Sequence, residues 1–255
     1  MEEIKISDLF EFYLNDSKKN FTGWDFSYIA DTGRMVETPL EWSYTTKILK
    51  KLRDANYLLD MGTGGGEFLS LLQPLPANSF ATEGYEPNLS VAKQRLEPLG
   101  VKVVKVEDDN KLDFKDDFFD LIINRHEEYS ANEVKRVLKE NGYFITQQVG
   151  GKNCIELNEI LGASEDFGMT EWKLEYAVNE FQEIDLEVIE KHEDFPALRF
   201  YDIGAIIYYL KAVPWQIPDF SVDKYYNSLK KIHDSIQEKG FIDIEEHRFM
   251  LLVKK

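Results

Sequence analysis

A chain of 255 residues with an apolar share of 43% is long enough for one large α/β core with a cap and is not composed like a disordered protein. The net charge of −17 argues against a general polyanion-binding surface, because neutralising phosphates needs clustered Lys and Arg, so a nucleic-acid partner is disfavoured, although a local basic patch leaves it open. One cysteine, Cys154, excludes an intramolecular disulfide and a cysteine-based zinc site, and no metal is expected.

In chain order, residues 1–37 are rich in aromatics, with Phe10, Phe12, Tyr13, Phe21, Trp24, Phe26 and Tyr28. The N-terminus, Met1-Glu-Glu-Ile-Lys, lacks the basic and apolar segments of a secretory signal. Ile4 to Leu14 reads as a helix, and Phe21 to Ile29 as an ordered loop. Thr38-Pro-Leu-Glu41 supplies an N-cap, a proline at the first helical position and a capping-box glutamate, which predicts a helix running to Arg53. That helix feeds the first strand, Tyr57 to Asp60.

The strand breaks into four glycines, Gly62, Gly64, Gly65 and Gly66, and an apolar run from Phe68 to Leu72 resumes at helical spacing. Strand, glycine turn and helix in this order form a nucleotide-binding crossover whose backbone N–H groups approach a ligand closely. A dinucleotide fingerprint needs glycine at position 67, and this chain has Glu67. The spacing Asp60-x-Gly62-x-Gly64-x-Gly66 instead resembles motif I of the class I S-adenosylmethionine-dependent methyltransferases.

Pro74 and Pro76 stop the glycine helix. Ser79 to Glu83 is the second strand. It ends in an acid 17 residues beyond Gly66, near the spacing at which a carboxylate meets ribose hydroxyls in such units. Glu86 competes for that role, but counting back from Val91-Ala92-Lys93 puts position 83 at the strand tip; a solvated acid is the bland alternative. Pro87 to Leu99 reads as a helix closed by Gly100, and Val101 to Val106 as the third strand. At its carboxyl end, where ligands bind in such sheets, lies Glu107-Asp-Asp-Asn110. Asp108 could accept from an adenine amine and the Asp109 N–H could donate to a ring nitrogen; a solvated acidic turn fits those residues equally well.

Leu112-Asp-Phe-Lys-Asp-Asp-Phe-Phe-Asp120 resembles the family's approach to its fourth strand, here Phe119 to Asn124, with Asp113 where the family has proline. The loop Asn124-Arg-His-Glu-Glu-Tyr129 holds His126. Its intrinsic pKa suits a general base, although a free histidine in a polar loop is more often a surface residue. Glu127 or Glu128 could orient it or hold a cationic acceptor. Ser130-x-x-Glu133 is a second capping box, opening a helix through Leu138, and Asn141-Gly142 turns the chain into a fifth strand, Tyr143 to Val149. The run from Glu133 to Gly150 resembles the "E-x-x-R-V-L-K-P-G-G-x-F" stretch of the methyltransferase type 11 group, with Glu140-Asn141 in place of proline and glycine. The resemblance covers roughly residues 46–150.

Beyond it, Asn153 to Leu161 and Thr170 to Phe181 read as helices, Leu186 to His192 as a strand, and Ser221 to Lys239 as a helix ended by Gly240. The aromatic segment from Phe195 to Pro218 could wall an acceptor pocket, pack a core or face a second copy. Its most apolar stretch, Ile203 to Val213, is too short to span a bilayer, so no membrane partner is expected and a cytoplasmic location follows. Phe241 to Ile244 and Phe249 to Val253 are read as a terminal antiparallel pair.

The resemblance implies one α/β domain, a Rossmann-like seven-stranded, mostly parallel sheet of order 3-2-1-4-5-7-6, flanked by helices and carrying a helical, aromatic cap. Residues 1–45 would form a lid, 46–150 the cofactor-binding core, 151–215 further core with the acceptor region, and 216–255 the closing helix and strands. It implies S-adenosyl-L-methionine as cofactor, S-adenosyl-L-homocysteine as product and a small-molecule methyl acceptor. Cofactor contacts would come from Asp60, Met61, Gly62, Thr63, Gly64 and Gly66, then Glu83 and Gly84, then Asp108 and Asp109, then Asn124 and Arg125. Trp24 and Arg34 are lid candidates, and His126 is the catalytic one. The competing readings are an rRNA or tRNA base methyltransferase, a nicotinamide-dependent oxidoreductase and a non-catalytic module that keeps the cofactor fold. The oxidoreductase is disfavoured by Glu67 and by the lack of a Tyr-x-x-x-Lys pair after the fifth strand.

Overall fold

The structure, a computed structural model, describes residues 6–19, 26–108, 110–164 and 169–255. Along the chain come α1 (Ile6–Asp16), α2 (Ser27–Ala30), β1 (Met35–Glu37), α3 (Tyr44–Leu52), β2 (Tyr57–Met61), α4 (Glu67–Leu71) and β3 (Asn78–Glu83). They are followed by α5 (Glu86–Leu96) with a 3₁₀ turn, β4 (Lys102–Lys105), β5 (Phe119–Arg125), α6 (Ala131–Val137), β6 (Leu138–Val149) and α7 (Ile155–Leu161). The last elements are α8 (Leu174–Glu183), β7 (Glu187–Asp194), β8 (Ala197–Phe200), α9 (Ile203–Ala212), α10 (Val222–Lys239), β9 (Ile242–Glu245) and β10 (Arg248–Lys254). These elements fall into two compact units, one comprising 41–150, 171–194 and 248–255, the other 1–40, 151–170 and 195–247.

The first unit is built on a seven-stranded sheet of order β4-β3-β2-β5-β6-β10-β7. Counting only its own strands along the chain, this is 3-2-1-4-5-7-6, as the resemblance implies. The first five strands run parallel, and β10 is antiparallel to both β6 and β7. Parallel strands with helices on both faces read as continuous apolar runs, and Leu58, Leu59, Leu121, Ile122 and Ile123 are all buried. Neighbouring residues of a strand point to opposite faces. On one face Leu59, Met61, Ile122 and Phe144 join Val134 and Val137 of α6 and Ala177 and Phe181 of α8 in one core. Each of these side chains larger than alanine contributes about 1.5–3 kcal/mol by leaving water.

The second unit contains a three-stranded antiparallel sheet, β1-β8-β9, and a core centred on α9. Every residue of α9 except Lys211 is buried. The aromatic segment 195–218 therefore supplies the core of this unit, chiefly through Phe200, Tyr208 and Tyr209.

Several boundaries differ from the sequence reading. The closing pair does not form: β9 pairs with β8, whereas β10 lies between β6 and β7. The burial patterns explain the split. Phe249 to Val253 is buried throughout, as an interior strand requires, while Ile242–Glu245 alternates toward solvent and suits a small edge. The helix expected from Thr38 starts at Tyr44, because the Ser43 hydroxyl caps Thr46 N–H and the Thr38 N–H is taken by the Ala197 carbonyl. The expected turn at Asn141-Gly142 lies inside β6, which follows α6 directly. Ser130 caps its helix as expected, but Glu133 does not reach back to it. Its carboxylate accepts from Leu112 N–H at 2.8 Å and pairs with Arg136, which also holds the Leu112 and Phe114 carbonyls. Among the described residues no helix is long and apolar enough to cross a membrane.

Candidate functional site

At the end of β2 the chain leaves the sheet through Gly62, Gly64 and Gly66, with φ of 66°, 62° and 80°. Two bonds tie this turn to β3: Thr63 N–H donates to the Thr82 carbonyl at 2.9 Å, and Gly62 N–H to the Thr82 hydroxyl at 3.3 Å. Two glycines are demanded by space as well as by backbone. A Cβ on Gly66 would lie 2.7 Å from Cγ of Leu96 in α5, and one on Gly62 only 2.2 Å from Cγ of Glu127.

The pleat determines which acids meet. Asp60 pairs with Ala81, and Glu83 lies two residues beyond Ala81, so both carboxylates are on one sheet face. Asp60 is 6% exposed and accepts the Thr63 hydroxyl at 2.7 Å. Burial pushes its carboxyl up to about 7, against the lowering pull of Thr63 and Arg125 and with a further push from Glu83. Glu83 accepts from Tyr85 N–H at 2.7 Å through Oε1; among the described residues no hydrogen bond takes its Oε2. Glu83 and Gly84 line a cavity of about 430 Å³, whose other walls are Gly62, Thr82, Lys105, Val106, Glu107 and Glu127.

Beyond β4, Asp108 is exposed and turned onto its own loop. Its Oδ1 accepts both the backbone and side-chain N–H of Asn110 at 2.9 Å, which holds its carboxyl below the usual range. Asp109 lies outside the described residues. At the tips of β2 and β5, Met61 and the paired Asn124 are both buried. The Asn124 side-chain carbonyl oxygen accepts from Thr146 at 2.8 Å and Gln148 at 2.6 Å, while its Nδ2 is buried and, among the described residues, has no hydrogen-bond partner. Arg125 points outward, its guanidinium carbon 4.4 Å from the centre of the Phe68 ring.

His126 adopts φ +59°, a conformation a non-glycine residue holds only with support, here from its N–H bond to the Gln147 carbonyl at 2.8 Å. The Trp42 indole N–H, a donor only, points at Gln147 Oε1 at 3.0 Å, so the Gln147 amide nitrogen faces His126 Nε2 at 3.3 Å. That arrangement assigns the acceptor role to Nε2 and the proton to Nδ1, making the ring neutral. Burial of the loop, with Arg248 and Arg125 nearby, also keeps the imidazole below the ordinary histidine value; the ring still reaches solvent, so the depression is smaller than full burial would give.

The geometry thus brings together Asp60, Met61, Gly62, Thr63, Gly64, Gly66, Glu83, Gly84, Asn124, Arg125 and His126 at the tips of three adjacent strands. Trp24 lies outside the described residues. Arg34 forms a two-pronged pair with Asp202 at 2.7 Å and a third bond to Asp16 at 2.7 Å, so each of its three nitrogens donates to a protein carboxylate. Sequence reasoning passed over Lys105, Val106 and Glu107 as walls, and over the Trp42–Gln147 support. The polar triplet Thr146-Gln-Gln148, inside an otherwise apolar strand, was the available signal for the latter.

Comparison with known proteins agrees with the fold. Residues 59–146 match the methyltransferase-domain family, so the resemblance to class I S-adenosylmethionine-dependent methyltransferases holds over the stretch that forms the site. A protein-L-isoaspartate O-methyltransferase of Pelodictyon phaeoclathratiforme is 25% identical over 138 residues, which is 53% of this chain and 62% of that protein's length. The BH2331 protein of Bacillus halodurans C-125 superposes with a TM-score of 0.57 at 17% identity, over 83% of this chain and 98% of that one. A geranyl diphosphate methyltransferase, solved with geranyl diphosphate and sinefungin, gives a TM-score of 0.50 at 11% identity over 82% and 77% of the two chains. The chain has the Rossmann-like methyltransferase fold.

Proposed function

We propose that the protein transfers a methyl group from S-adenosyl-L-methionine to a small-molecule acceptor, leaving S-adenosyl-L-homocysteine. The observation that carries this reading is the cavity of about 430 Å³ that joins Gly62 of the positive-φ turn to Glu83 at the neighbouring strand tip. A buried donor without a partner among the described residues, Asn124 Nδ2, lies at the tip of the adjacent strand. Glu83 has an uncommitted oxygen for ribose hydroxyls, Gly64, with open space where a Cβ would stand, lets a ligand reach the backbone, and Asp60 places negative charge beneath a cationic group.

The cofactor, when bound, supplies an already activated methyl, so the protein's task is alignment and exclusion of water. His126 fits that division of labour. Its Nε2 lone pair faces the Gln147 amide, and the ring is held neutral by its surroundings, so it acts in this reading as a shaped wall of the β5 loop. The net charge of −17 favours a small acceptor over a nucleic-acid base.

Glu83→Ala tests the cofactor assignment. It is expected to weaken binding of S-adenosylhomocysteine about ten- to a hundredfold, since a charged acceptor is lost, while the melt falls by no more than the loss of the Tyr85 backbone contact allows. Unchanged affinity would remove Glu83 from the site. A labelled-methyl transfer assay over fractionated metabolites and RNA tests the acceptor class, and label appearing only in RNA would overturn the small-molecule reading.

A further inference from the structure

The loop after β5 carries a carboxylate onto the glycine turn. The Glu127 side chain crosses Gly62: Cβ, Cγ and Cδ lie 2.6, 2.2 and 2.6 Å from where a Gly62 Cβ would stand. Its backbone is pinned, because the Gln148 amide donates to the Glu127 carbonyl at 3.0 Å and the preceding N–H, of His126, bonds to the Gln147 carbonyl. Any group that rests on Gly62 within the cavity therefore rests beside Glu127, which is itself one of the cavity's walls.

The sheet order sets which end of an extended ligand arrives there. From the tip of β4 to the tip of β5 are three strand spacings, roughly 14–15 Å, with Glu83 on β3 between them. A nucleoside whose ribose meets Glu83 and whose base lies toward Val106 and Glu107 must send its other end toward Gly62 and Glu127. The acids favour a cation at that end. Among the described residues, the cavity's charged walls are three acids, Glu83, Glu107 and Glu127, and one base, Lys105, which is paired with Glu86 at 2.9 Å and lies 3.9 Å from Glu107. Asp60 adds charge from outside the walls.

We propose that Glu127 is a specificity-determining residue that receives the α-ammonium of the cofactor's amino-acid end across Gly62. This rests on the cofactor reading above and assigns a direct contact that the motif does not include. A carboxylate facing an ammonium forms a charge-assisted hydrogen bond, among the stronger single contacts available to a small ligand.

The test is titration calorimetry on the wild type and on Glu127→Gln, with three probes: S-adenosylmethionine, S-adenosylhomocysteine and 5′-methylthioadenosine, which keeps the nucleoside but has no amino-acid end. The expected result is that Glu127→Gln weakens the first two by a similar factor, about tenfold or more, and leaves 5′-methylthioadenosine within about twofold. That last arm also separates a lost contact from a damaged fold. The proposal is overturned if all three weaken together, if only the sulfonium compound weakens, or if affinities rise because the side chain merely obstructs Gly62. Failure of all three probes to bind the wild type would instead sink the cofactor reading itself.

Discussion

Asp60→Asn should stabilise the cofactor-free protein at pH 8 by about 2–4 kcal/mol while weakening S-adenosylmethionine binding about tenfold. The sign follows from linkage. Burial pushes the folded carboxyl up to about 7 from an ordinary value near 4, so the folded state holds this proton more tightly than the unfolded chain does. Stability is fully present below about pH 4 and is lost as pH rises to 7, beyond which the penalty is constant. The groups facing Asp60 are Glu83 from β3, which worsens the penalty, and Thr63 and Arg125, which offset it. Asparagine carries no charge and keeps an oxygen for the Thr63 hydroxyl. Its advantage in urea melts should therefore be small at pH 4.5 and largest above pH 7. The cost appears in binding, since a cationic ligand favours the ionised acid: wild-type affinity should rise between pH 6 and pH 8, and the variant's should not. A variant destabilised equally at both pH values would contradict the assignment of Asp60 as a strained, ligand-serving acid.

Gly62→Ala is expected to lose about 2–3 kcal/mol of stability and at least about a hundredfold in affinity for S-adenosylhomocysteine. Two causes combine. The backbone at φ +66° disfavours any side chain, and the new Cβ would fall on the Glu127 methylenes. They separate in a double-mutant cycle. In a Glu127→Gly background, which also removes the Cβ that alanine would leave 2.6 Å away, the steric part disappears and only the backbone part, about 1 kcal/mol, remains. Additive losses in urea denaturation would show that the two residues do not meet. Affinity should stay low in the double variant, because it lacks both the bare glycine and the carboxylate.

The sheet was legible because its signals are local and repeated: apolar runs, glycine and proline punctuation, and acids at strand tips fall at the intervals a crossover fold imposes. The placement of Asp60, Glu83 and the glycine turn at neighbouring strand tips was readable for the same reason. The closing strands were not, because two apolar stretches separated by Glu245-Glu-His-Arg248 look like a hairpin, and only three-dimensional pairing shows that β9 and β10 belong to different sheets. The pairing of Arg34 was not legible, because nothing near it in sequence announces Asp202, its partner 168 residues away. Glu107 and Glu127 each sit in a run of acids whose members composition treats alike. The path of the backbone selects among them, turning Asp108 onto Asn110 and Glu127 across Gly62.

The central claim is tested most directly by calorimetric titration of S-adenosylhomocysteine into the purified wild-type chain, with NAD as the comparison ligand. The account predicts a saturable one-site heat for S-adenosylhomocysteine that Glu83→Ala weakens, and no heat for NAD. Absence of heat with S-adenosylhomocysteine, or equal binding of NAD, would contradict it.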